Sequence, residues 1–126
     1  MTDYILDASA VLAVLQNEPG QAKVREKAER SAVGRINATE VLTKLIENGA
    51  PLDRAILAFE SLDLRIIEFN TAQSELIASL RPLTKHLGLS LGDRVCLALA
   101  ILENATAVTA DRHWKDLTVC PIQLIR

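Results

Sequence analysis

The sequence predicts an α/β fold, a three-layer α/β/α arrangement in which a short, mostly parallel central sheet is flanked by helices. Three observations carry this. Five short strand signals are separated by helical patterns, and no tight hairpin turn joins any two of them. The strand signals are apolar along their length rather than alternating, as expected when both faces of a sheet are covered. The chain has 126 residues, 49% of them hydrophobic, which suits one domain spanning residues 1–126 around one core.

The elements follow in order. Residues 4–6 form the first strand signal, and residues 11–15 a short helical stretch after it. Residues 21–30 are highly charged and read as a solvated helix. A second strand signal at 32–35 precedes a helix over 38–47, which places Val41, Leu42, Leu45 and Ile46 on one face. Asn48-Gly49 supplies its stop. A helix over 52–62 starts just after Pro51, and a strand signal at 64–69 follows. Residues 72–80 gather Leu76, Ile77 and Leu80 on one face. Residues 91–102 are apolar almost all round, which predicts a central buried helix. Strand signals at 106–109 and 122–125 close the chain, with no repeat, low-complexity tract or linker.

Composition narrows the function classes. The longest apolar run, residues 95–102, is far short of the roughly 20 residues of a membrane span. The Met-Thr-Asp-Tyr start lacks a basic stretch followed by an apolar one, so the expected location is cytoplasmic. Cys96 and Cys120 form no Cys-x-x-Cys pair, which disfavours zinc and redox chemistry, and Cys96 reads as a buried thiol. The net charge of −2 argues against a binder driven to nucleic acid by charge alone.

Ligands of a parallel sheet bind beyond the carboxyl ends of its strands. Four acids fall at such places. Asp7 ends the first strand in "YILDASAVLAVL", and Glu40 follows the second in "GRINATEV". Asp93 opens the buried helix in "LSLGDRVCLALA", and Asp111 follows the fourth strand in "AVTADRHW". Taken singly, each is explained as a cap. Asp7 has N-cap placement, Asn37 to Glu40 has capping-box spacing, Ser90 to Asp93 is a looser version of it, and Asp111 precedes a turn. Acids in a first turn also gain about 0.3–1 kcal/mol from the helix dipole. Taken together, four carboxylates converging on one sheet edge would repel one another and need compensating charge. A hard divalent cation such as Mg²⁺ or Mn²⁺ suits oxygen ligands, and with only His86 and His113 present zinc is disfavoured.

These four motifs, in this order and across nearly the whole chain, resemble those of PIN-domain ribonucleases, most of all the VapC-type toxins of toxin–antitoxin pairs. The second motif departs in opening with Asn37 rather than Ser or Thr, and the third in having Arg94 after its acid. The resemblance implies a metal-dependent ribonuclease with Asp7, Glu40, Asp93 and Asp111 as catalytic acids. Asp7, Asp93 and Asp111 are the expected Mg²⁺ or Mn²⁺ ligands, and Ser9 and Thr109 the hydroxyls that fix carboxylate orientation. It further implies an RNA substrate, a VapB-type antitoxin whose tail occupies the acidic groove, and a homodimer.

With the four acids set aside, 12 acidic residues face 14 basic ones. Arg35, Arg94, Arg112 and Lys115 flank the motifs and are candidate RNA-phosphate contacts, each equally explained as a solvated charge or surface ion pair. Asp116 reads as a surface acid, and Trp114, the one aromatic near a motif, as a residue packed on the sheet edge. Two other functions remain open: a catalytically silent PIN-like interaction module, and an enzyme that forms an aspartyl-phosphate on Asp7.

Overall fold

The computed structural model describes residues 1–126. Five strands form one sheet: β1 (Tyr4–Leu6), β2 (Ser31–Gly34), β3 (Arg65–Ile67), β4 (Thr106–Thr109) and β5 (Ile122–Leu124), in the order β3-β2-β1-β4-β5. Every neighbouring pair is parallel. Seven α-helices connect them: α1 (Ala8–Leu15), α2 (Gln21–Arg25), α3 (Arg35–Glu47), α4 (Leu52–Glu60), α5 (Thr71–Ser79), α6 (Arg81–Thr84) and α7 (Leu91–Leu102). Short 3-10 turns lie at Ala28–Arg30, Lys85–Leu87 and Arg112–Trp114. No helix is long and apolar enough to cross a membrane.

Register explains why the strands carry unbroken apolar residues. Ile5 pairs with Ala32 and Ala107, and Leu6 with Val108. Successive side chains point to opposite faces. Ile5, Ala32 and Ala107 therefore pack against α5, α7 and Trp114, while Leu6, Val33 and Val108 pack against α1, Val24 of α2, Val41 of α3 and Phe59 of α4. Both faces are covered, and the sheet lies between two apolar layers.

Several boundaries differ from the sequence expectation. Helix α3 begins at Arg35, three residues early, because extended Gly34 is its N-cap. Asn37 therefore sits inside the helix and caps nothing. The charged stretch at 21–30 divides into α2 and a 3-10 turn. Its one cation drawn inward is Lys27, whose ammonium donates to the Lys23 carbonyl and lies 5.5 Å from the centre of the Tyr4 ring. Helix α6, with a proline in its first turn, lies outside the helical stretches expected from the sequence. Cys96 is fully buried and Trp114 is fully buried in the sheet-edge core.

Candidate functional site

Because all five strands are parallel, their carboxyl ends share one edge. Asp7 leaves β1 there, and its N–H extends the ladder to the Val108 carbonyl at 3.1 Å. Asp7 is the N-cap of α1, as its position suggests, and its Oδ1 accepts from Ala10 N at 2.9 Å. Its surroundings go beyond a cap. Ser9 Oγ donates to Oδ1 at 2.7 Å, and Thr109 Oγ1 donates to Oδ2 at 2.6 Å. The two hydroxyls are themselves held: Ala110 N donates to Ser9 Oγ at 2.9 Å, and Asp111 N to Thr109 Oγ1 at 3.0 Å.

Asp7 is 4% exposed, yet has no ion-pair partner. Burial pushes its carboxyl up from 3.8 to about 6; the three hydrogen bonds oppose the rise, and the charge of Asp93 adds to it. Glu40 stands on α3 where partial burial, and again Asp93, raise its carboxyl, while a bond from Asn37 opposes. Asp93 is fixed by a reciprocal capping box: Ser90 N donates to its Oδ2 at 2.9 Å, and its own N–H donates to Ser90 Oγ at 3.2 Å. The charges of Asp7, Asp93 and Glu40 all disfavour the thiolate of Cys96, after burial itself. Asp93 thus lies within electrostatic reach of both Asp7 and Glu40, and Glu40 lies over Gly92, the residue before Asp93.

The Asp111 backbone is tied to Thr109, but its side chain is engaged by His113. Its Oδ1 faces His113, accepting from the backbone N–H at 2.9 Å and lying 2.9 Å from ring Nδ1. Asp116 lies in a separate groove with Leu83, His86 and Leu117. An apolar hollow of about 170 Å³ under α1 and α2 contains none of the acids. Glu40 instead borders a shallow polar groove of about 460 Å³ along α3 with Thr39, Thr43 and Lys44.

Sequence reasoning missed two residues here. Asn37, 1% exposed, bonds to Glu40 and to the Gly92 carbonyl. His113 holds Asp111, a pairing that the two-residue spacing in "ADRHW" offers in retrospect. Of the candidate basic residues, Arg35 is bound through two nitrogens to Glu68, at 3.0 and 2.6 Å. Arg94 donates to the Ile77 carbonyl, and Arg112 to the Arg126 carbonyl. Lys115 is exposed and forms no ion pair.

No three His, Cys, Asp or Glu side chains stand close enough to form a ready metal-binding group. The donor chemistry nevertheless fits a hard cation. A carboxylate offers about four lone-pair sites. Asp7 uses three, leaving one on Oδ2, while Glu40 Oε2, Asp93 Oδ1 and Asp111 Oδ2 accept no hydrogen bond. Such sparse oxygen donors suit Mg²⁺, which keeps several waters.

A family profile described as PIN domain matches residues 4–119. Comparison with curated protein sequences gives no match. Among solved structures, the chain is similar to DNA-bound VapBC from Salmonella typhimurium, with a TM-score of 0.80, 16% identity and 100% of each chain covered. It is similar to VapBC2 from Rickettsia felis bound to a promoter DNA fragment, with a TM-score of 0.75, 20% identity and 98% of each chain covered. For VapBC-1 from nontypeable Haemophilus influenzae the TM-score is 0.74, with 18% identity and 98% of each chain covered. At these identities the likeness establishes the fold.

Proposed function

The chain belongs to the PIN-domain family, and from that premise we propose that it is a divalent-metal-dependent ribonuclease, the toxin of a toxin–antitoxin pair. One observation carries the reading: Asp7, Glu40 and Asp93 come from three elements at one edge of the sheet, the charge of Asp93 acts on both of the others, and none of the three has a basic counter-ion. Repulsion of this kind is relieved by a bound cation. Asp7, Asp93 and Asp111 would hold Mg²⁺ or Mn²⁺, and Glu40 would complete the group through water. When bound, the ion offsets phosphate charge and lowers the pKa of its water.

The chain's own groups do the rest. Ser9 and Thr109 hold the Asp7 carboxylate in one orientation, so its remaining lone pair points one way. Glu40, more open than Asp7 and Asp93, orients the attacking water and takes its proton. The water oxygen bonds to phosphorus, the phosphorus–oxygen ester bond breaks, and the departing oxygen is protonated from solvent. A nucleophilic Asp7 is disfavoured, since both its oxygens accept hydrogen bonds.

The similarity to VapBC assemblies supports a VapB-type antitoxin as partner, which would cover the acidic groove; the active unit in this reading is a homodimer. The test is structured RNA incubated with purified protein, with and without Mg²⁺ or Mn²⁺. Metal-dependent cleavage by the wild type and its loss in Asp7→Asn and Asp93→Asn are expected. Undiminished cleavage by both variants overturns the site.

A further inference from the structure

Glu40 reaches its neighbours across an unusual seat. Its carboxylate lies over Gly92, in the first turn of α7, where a Cβ would collide with both carboxylate oxygens. Asn37, one turn earlier on α3, donates from Nδ2 to Glu40 Oε1 at 2.8 Å and to the Gly92 carbonyl at 3.0 Å. The opposite amide orientation would set Oδ1 against two acceptors, so the assignment is fixed by its partners. In this orientation Asn37 Oδ1 is buried without a partner. The site tolerates an unsatisfied carbonyl to keep the two N–H bonds. Gly92 is itself located by the Ser90–Asp93 capping box on either side of it.

We infer that Asn37 and Gly92 form a seat that positions Glu40 against Asp93, Asn37 by its amide and Gly92 by its missing side chain. This rests on the reading of these acids as a metal site. Neither residue touches the reacting atoms; both act through Glu40. Gly92 has an ordinary helical place, and the atoms a new Cβ would meet are the far end of a flexible side chain. A methyl group there therefore displaces Glu40 and spares the fold. Alanine is also a better helix former than glycine. A purely structural glycine would behave in the opposite way.

The seat predicts a dependence on side-chain length. Glu40→Asp shortens the side chain by one methylene and withdraws the carboxylate from position 92. The experiment measures Mn²⁺ affinity by titration calorimetry, with thermal melting of metal-free protein as control. It uses the wild type, Asn37→Leu, Gly92→Ala, Glu40→Asp and the Gly92→Ala/Glu40→Asp double variant. Gly92→Ala is expected to weaken Mn²⁺ binding about 10-fold in the wild-type background without lowering the melting temperature, and to change it less than about 2-fold in the Glu40→Asp background. Asn37→Leu is expected to weaken binding about 10-fold. Equal factors for Gly92→Ala in both backgrounds, or unchanged binding by Gly92→Ala when the wild type binds, overturn the seat alone. A wild type that takes up no Mn²⁺ overturns the seat together with the metal-site reading.

Discussion

Thr109 and Asp7 lie 102 residues apart in the chain, and Thr109 Oγ1 donates to Asp7 Oδ2 at 2.6 Å. The hydroxyl has one proton, and Asp7 takes it. Its lone pair meanwhile accepts from Asp111 N. Ser9 likewise spends its proton on Asp7. The 3.3 Å contact between the Ser9 and Thr109 oxygens therefore has no proton left to share. Thr109→Val keeps the shape and removes both bonds, leaving a buried carboxylate oxygen and an N–H unsatisfied. A loss of about 1–3 kcal/mol in urea unfolding is expected.

The Asp7 carboxyl gives wild-type stability a definite pH dependence. Its folded value of about 6 lies above the ordinary 3.8. Between these values the folded state binds more protons than the unfolded one, so stability from this group is fullest below about pH 4 and falls as pH rises through about 6. The total is about 3 kcal/mol. Asp7→Asn removes the titration. In metal-free buffer the variant should melt several degrees above the wild type at pH 8, with the gap closing toward pH 4. Identical melting curves at every pH would contradict the burial of a charge here.

Gly34 marks a close approach of β2 to α7. A Cβ there would lie 2.6 Å from Leu99 Cδ1 and 3.3 Å from Val95 Cγ1, both side chains packed in the core. Gly34→Ala should therefore destabilise by about 1–3 kcal/mol, the opposite sign from Gly92→Ala. Chemical denaturation of the two alanine variants side by side tests the contrast.

RNA binding should distinguish the flanking cations. Arg35 is already neutralised by Glu68, whereas Lys115 has no ion pair. Lys115→Ala should reduce the slope of log affinity against log salt by about 0.7, the effect of one phosphate contact on a single strand, and Arg35→Ala by much less. Equal slopes for both variants would remove Lys115 from the contact set.

The fold was legible where local signals agreed. Helix α7 has the predicted bounds because an apolar run coincides with the Ser90–Asp93 capping box. Strands β1 and β4 also match. Helix α3 was misplaced because Asn37 and Glu40 carry capping-box spacing, yet their side chains bond to each other inside the helix, with Gly34 as the cap. Within the site, Asp7 and its two hydroxyls could be named from motif position. The partnership of Asn37 with Gly92 could not, since those residues lie 55 positions apart and meet only through tertiary packing. The turn of Asp111 toward His113 is a side-chain choice that motif position does not encode.

The strand order has a temporal consequence. β1 is the first of the five strands to be made and sits in the middle of the sheet, and its β4 neighbour is the fourth. On a growing polypeptide, the Asp7 carboxylate has no Thr109 to hold it until 102 further residues have been added. At about 5–20 residues per second, that interval is roughly 5–20 s. The acidic centre is thus built with a delay. It is absent from every translation intermediate that lacks β4 and assembles only once that strand has been made.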